Sequence, residues 1–238
     1  MSYYGFPEYV SVAEKKEKAE KAIEKLKKKG ENIEPVQVEG RILAKTWWGK
    51  AWNLNLESYA DYSNRIARGR SYLRNGAVLD LKIAKGNSIA LVQGSTSKPY
   101  TVSINIDTLI KSKWKQVIDL CNHKIDSLEQ LVEGKFPKEF EILFTEKKYG
   151  MFPSPKEIQF HCNCPDGAYM CKHVAAVLYG IGTRLDKDPM LFFELRDMDA
   201  QELIKKSMES KLENMLKNAN KKSKREIASE DIFDIFGV

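Results

Sequence analysis

His161-Cys162-Asn163-Cys164-Pro165-Asp166-Gly167-Ala168-Tyr169-Met170-Cys171-Lys172-His173-Val174 decides how this chain is read. A Cys-x-Cys pair is followed, after a six-residue gap, by Cys-x-His, which gathers three of the four cysteines and one of the three histidines. Thiolate sulfur and imidazole nitrogen are the donors that tetrahedral zinc takes. Residues two apart in an extended segment point the same way, so Cys162 and Cys164 can face one ion at the end of a strand over 158–164. Residues two apart on a helix diverge by about 200°. Cys171 is therefore expected in the turn before a helix, with His173 in its first turn. Val174, Val177, Leu178, Ile181 and Leu185 follow at helical spacing, and Pro165-Asp166-Gly167 supplies the turn between the two pairs. A disulfide is the competing reading, but Cys162 and Cys164 are too close for an easy bond and one thiol would be left over. Four protein ligands leave no open position for water or substrate, so Zn2+ here is expected to be structural. Three thiolates around a dication leave about one excess negative charge, which Lys172 and the helix dipole offset. His161 is the one substitute ligand, expected to face away from the metal.

The flanking sequence organises around this segment. Lys15 to Lys29, with Glu14, Glu17, Glu20 and Glu24, reads as an exposed charged helix ended at Gly30. Thr46 reads as the N-cap of a helix reaching about Ile66, on which Trp48, Trp52, Tyr59 and Ile66 share a face. Such a stripe is core more often than a stacking platform. Residues 77–83, 89–93 and 101–106 alternate in polarity and predict a three-stranded antiparallel meander under that aromatic helix. Helices are predicted from Asp107 to Asn122, over 127–133 and 137–144, and, past Pro153 and Pro155, over 191–195 and 200–216. The fold class expected is α+β, a small meander packed by helices followed by a zinc-stapled hairpin-helix region. The division expected is 1–40 (charged helix and connector), 41–150 (meander), 151–217 (zinc region) and 218–238 (basic linker and apolar tail).

At the ligand quartet the chain resembles the SWIM zinc-finger family, whose signature is Cys-x-Cys, a variable gap, then Cys-x-His. Further similarity to its stand-alone prokaryotic members lies in Thr46-Trp47-Trp48-Gly49-Lys50-Ala51-Trp52, in Arg68-Gly69-Arg70-Ser71-Tyr72 and in Phe152-Pro153-Ser154-Pro155. It covers about Tyr3 to Leu203. Gly167 stands where many relatives carry Trp, so an aromatic contact from that position is not expected here. The resemblance implies a zinc-binding module for DNA or protein interaction, working beside a Swi/Snf-like helicase-family ATPase.

With 238 residues and 42% hydrophobic content the chain suits a globular protein. It has no run of some eighteen apolar residues and no basic-then-apolar leader, and few cysteines outside the quartet, so a cytoplasmic protein without membrane contact is expected. Cys121 reads as a lone buried thiol. A net charge of +6 is compatible with a polyanionic partner such as DNA or RNA. The second candidate site is a basic loop, 67–76, where Arg65, Arg68, Arg70 and Arg74 would hold phosphates and Tyr72 would stack on a base. A solvated helix-to-strand connection is its alternative. No phosphate loop, nucleophile elbow or zinc-protease helix occurs, so neither an enzyme nor a small-molecule substrate is expected. Ile227, Ile232, Phe233, Ile235 and Phe236, after the basic linker, suit a short helix docking on a partner or folding back on its own domain.

Overall fold

The computed structural model describes residues 10–58, 63–121, 127–135, 138–146 and 150–219. The basic linker, the apolar tail, Tyr59 and the helix end expected at Asn122 lie outside these.

Local signals set the first helix, α1 (Val12–Lys28). Ser11 and Glu14 form a reciprocal capping box, and Lys25, Lys27 and Lys28 occupy the last turn. The connector after it runs beside the first strand, where Val36 N donates to Val78 O and Leu81 N to Glu34 O, both at 3.1 Å. The aromatic helix predicted from Thr46 is α2 (Trp47–Ser58), and a second helix, α3 (Ser63–Arg74), replaces the predicted basic loop. What read as loop glycine is helix-packing glycine. Ile66, Gly69 and Leu73 recur at i, i+3, i+7 and are buried.

The meander forms as expected with β1 (Val78–Ala84), β2 (Asn87–Val92) and β3 (Tyr100–Ile106), and gains a fourth strand, β4 (Ile158–Cys162). All pairings are antiparallel in the order β1-β2-β3-β4, with Val102 opposite Cys162 and Ile106 opposite Ile158. The sheet thus crosses the division expected at Gly150/Met151, and one cluster of buried side chains runs from Val36 to Leu203.

At its centre is α7 (Lys172–Lys187), in which twelve residues are buried. The chain reaches it through α4 (Lys111–Cys121), α5 (Leu128–Glu133), α6 (Lys138–Thr145) and a 3-10 turn at Pro155–Glu157. The sheet is covered by α7, and α2 and α3 pack on the other side of α7. The sequence had placed the aromatic helix on the sheet, but only a helix that is apolar on nearly every side can fill a middle layer. Glycine lets the layers close: a Cβ at Gly69 would sit 2.5 Å from Ala175 Cβ, and one at Gly182 2.5 Å from Asn53 Oδ1. The tryptophans are core. Trp48 and Trp52 are fully buried, donating through Nε1 to Leu131 O at 3.2 Å and Leu178 O at 2.8 Å.

Beyond α7 come α8 (Met190–Leu195) and α9 (Ala200–Ala219). The helix predicted from Asp107 begins only at Lys111, because Asp107 N donates to Glu157 O (2.8 Å) and Leu109 N to Arg196 O (3.0 Å), which keeps that stretch out of the helix. The Arg196 side chain, fully buried, bonds Asp107 O at 2.6 Å and Glu157 Oε1 at 2.7 Å. Burial would raise the Glu157 carboxyl, but bonds from Ser154 and Arg196 outweigh it and hold the group below its usual value. Among the described residues no helix is long and apolar enough to cross a membrane.

Candidate metal centre

Two elements that meet only through folding present the four ligands. Cys162 ends β4, and β3 fixes it in place; Asn163 continues the ladder, its N donating to Thr101 O at 3.3 Å and its Oδ1 accepting from Thr101 N at 2.9 Å. Cys164 lies just past the strand end. Cys171 is the N-cap of α7, with Val174 N donating to its Sγ at 3.5 Å, and His173 sits in the first turn. The four donor atoms lie within 4.8 Å of one another. Cys162 Sγ and Cys171 Sγ are 3.9 and 3.8 Å from His173 Nδ1. Tetrahedral zinc, with Zn–S and Zn–N bonds of roughly 2.3 and 2.0–2.1 Å, needs S···N separations of about 3.6 Å and S···S of about 3.8 Å. The quartet fits zinc, with Nδ1 as the nitrogen that faces it.

The electrostatics suit a cation. A hydrogen bond from the Cys162 thiol, helped by His173 and by Val174 N–H at the helix start, pulls Cys171 well below an ordinary thiol. The same bond, with burial, pushes Cys162 up. A dication would displace the remaining protons. His173 is buried, and its ring is held between Tyr100 (centroids 4.6 Å) and the edge-on Tyr72 (5.3 Å). Its Nε2 is buried with no hydrogen-bond partner among the described residues, and a Cβ at Gly94 would lie 3.2 Å from it. Packing therefore sets the ring's orientation. His161 is exposed, on the opposite side of β4 from Cys162.

The knuckle between the ligand pairs is tied to the body at both ends. Asp166 forms an ion pair with Arg65 of α3, and Tyr169, a residue 61% exposed overall, donates through its OH to Ile158 O at 3.0 Å while its ring lies against Phe160 at 5.1 Å. The residues predicted to bind phosphate are thus largely committed within the chain. Arg65 pairs with Asp166. Arg70 faces Glu57 at 3.7 Å and sits over the Tyr179 ring, Arg74 Nε donates to Arg41 O at 3.1 Å, and Tyr72 packs on His173. Arg68 and Arg74 are exposed on α3. The sequence reading missed Tyr100, Asp166 and the Glu157–Arg196 pair. Each lies far from its partner in sequence, and no local pattern announces such contacts.

Residues 157–180 match the SWIM zinc finger family. Over 179 residues the chain is 34% identical to "Uncharacterized protein Rv2102" of Mycobacterium tuberculosis, an alignment that takes in 71% of this chain. The chain spans 64% of that relative's length. No solved structure matches the chain at a significant level. The segment 157–180 is therefore similar to a SWIM zinc finger, and Cys162, Cys164, Cys171 and His173 are positioned to hold a metal ion, consistent with zinc.

Proposed function

We propose that this zinc-binding module is a non-catalytic interaction protein that engages nucleic acid, DNA foremost, where the knuckle meets α3, as an accessory to a Swi/Snf-like ATPase. One observation carries the reading. The Arg65–Asp166 ion pair joins α3 to the knuckle; Arg68, three residues on and therefore on the same side of the helix, is exposed, and Tyr169, in the same knuckle as Asp166, is exposed beside β4. A guanidinium for phosphate and an exposed aromatic side chain for a base are the two parts of sequence-tolerant binding. A metal with four protein ligands leaves no coordination position for water, which supports a structural role for zinc. The ATPase association rests on family resemblance, and co-purification from the native cell tests it.

A salt titration against a labelled oligonucleotide tests nucleic-acid binding. Arg68→Gln is expected to flatten the slope of log affinity against log salt by about 0.7 to 0.9. Tyr169→Ala is expected to weaken single-stranded more than duplex binding, by about 1–3 kcal/mol. No binding by the wild-type chain at low salt would sink the proposal. A protein-adaptor role without nucleic acid is the second reading, supported by the intrachain bonds that already occupy Arg65, Arg70 and Arg74.

A further inference from the structure

A small cavity lies between α1, the end of α3 and the connection from β2 to β3. Its volume is about 170 Å3, and Lys15, Lys18, Tyr72, Asn75, Ala77 and Gln93 are among the residues that line it. Lys18 Nζ ties α1 to the connection by donating to Ser95 O at 2.7 Å. Clefts for drug-sized ligands run from roughly 300 to 1,000 Å3, so this one has room for a single small ring and little more.

Its polar lining is only half used. Asn75 and Gln93 are 7% and 5% exposed, yet each keeps an amide oxygen idle. Gln93 Nε2 donates to Gly94 O at 3.1 Å and to Thr96 O at 2.7 Å, which fixes that end of the amide as the donor. Asn75 Nδ2 reaches Ser71 Oγ at 3.4 Å. No donor among the described residues meets Gln93 Oε1 or Asn75 Oδ1. Buried amide oxygens ordinarily accept a hydrogen bond, so two left open beside a cavity point to a donor that enters from outside.

The donor's source follows from the side of α3 involved. Arg68 and Tyr72 are one turn apart on that helix, and Asn75, whose N donates to Ser71 O at 3.0 Å, continues the same side. Arg68, exposed, is the guanidinium assigned above to phosphate, and it stands about 10 Å along the helix from Asn75. Tyr72 gives the cavity an aromatic wall, and Lys15 and Lys18 bring two ammonium groups to it.

We propose, on the basis of the nucleic-acid reading above, that this cavity takes one unstacked base of a single strand, and that Asn75 Oδ1 and Gln93 Oε1 accept from its exocyclic amino group. Cytosine carries an amino donor at the position where thymine carries a carbonyl oxygen. Two waiting acceptors therefore favour cytosine and set oxygen against oxygen with thymine.

The test compares labelled oligo(dC) and oligo(dT) of equal length, by fluorescence anisotropy near neutral pH, on the full-length zinc-loaded protein. Wild type is expected to bind oligo(dC) about tenfold more tightly, and Asn75→Leu and Gln93→Leu should each lose most of that preference with zinc retained. Because Gln93 also braces its own loop, a second measurement needs no variant: 5-iodocytosine placed in the strand and irradiated should crosslink to Tyr72, as peptide mass spectrometry would map. Equal affinity of the wild type for the two strands would overturn the proposal and leave the cavity to water. A crosslink confined to residues outside the cavity would overturn it too, and so would cytidine monophosphate binding as tightly as oligo(dC), which would assign the cavity to a free nucleotide. Absence of any strand binding at low salt would instead sink the nucleic-acid reading itself, and the base site with it.

Discussion

The two longest helices of the central and C-terminal regions, α7 and α9, are built on opposite principles. In α7 twelve of sixteen residues are buried, with the metal ligands at its start, the sheet on one side and two helices on the other. In α9 burial ends at Ser207, and the remaining turns carry their apolar side chains on the surface. Energy is therefore concentrated in α7. A change there alters the sheet, α2, α3 and the zinc site together, whereas a change at the far end of α9 alters only an exposed helical surface.

The largest test of that contrast is Cys171→Ser, which removes a metal ligand while leaving a hydroxyl that can still cap α7. Loss of bound zinc and a cost of about 5 kcal/mol or more are expected, since the metal's binding energy is folding energy. That corresponds to a fall of roughly 10–20 °C in the thermal midpoint of a chain this size. A fully folded, zinc-free variant would break the comparison, as would loss of zinc in His161→Ala, which should keep it.

Arg196→Leu comes next. It leaves Glu157 without its guanidinium, and about 2–3 kcal/mol is expected to be lost, less than for a fully dry pair because Glu157 retains some exposure. Its pH dependence has a definite sign. The Glu157 carboxyl is depressed in the folded state, so its contribution is present above the unfolded value, roughly 4.3, and is lost as pH falls through the folded value. The acid limb of the wild-type stability curve should be steeper than that of the variant, as urea unfolding between pH 3 and 6 would measure.

Gly69→Val should cost about 1–3 kcal/mol by forcing α3 away from α7 at Ala175, read as a lower urea midpoint with zinc retained. The smallest effect belongs to α9. Leu212→Gln should shift global stability by about 0.5 kcal/mol or less, and a loss as large as that of Gly69→Val would show α9 to be as integral as α7.

The zinc quartet was legible because its geometry is local. A two-residue period on a strand end and a ligand at a helix start fix four donors without reference to the rest of the chain. The meander was legible by alternation for the same reason, although β4 was foreseen only as a strand end and its pairing with β3 was not. The arginine segment was misread. Arg68-Gly69-Arg70 carries loop-like composition, yet Gly69 is there to let α3 touch α7, and Arg65 and Arg70 answer Asp166 and Glu57.

By itself the sequence determined which side chains are positioned to hold a metal ion, that strands precede the helix carrying His173, and that Trp48 and Trp52 are core, because spacing and periodicity are properties of short segments. Only the tertiary structure decided that α7 lies between sheet and helices, that β4 completes the sheet, that His173 turns Nδ1 to the sulfurs between Tyr72 and Tyr100, and which charges are already paired. Those outcomes depend on contacts between residues tens of positions apart, where packing and charge pairing select a partner that no local pattern names.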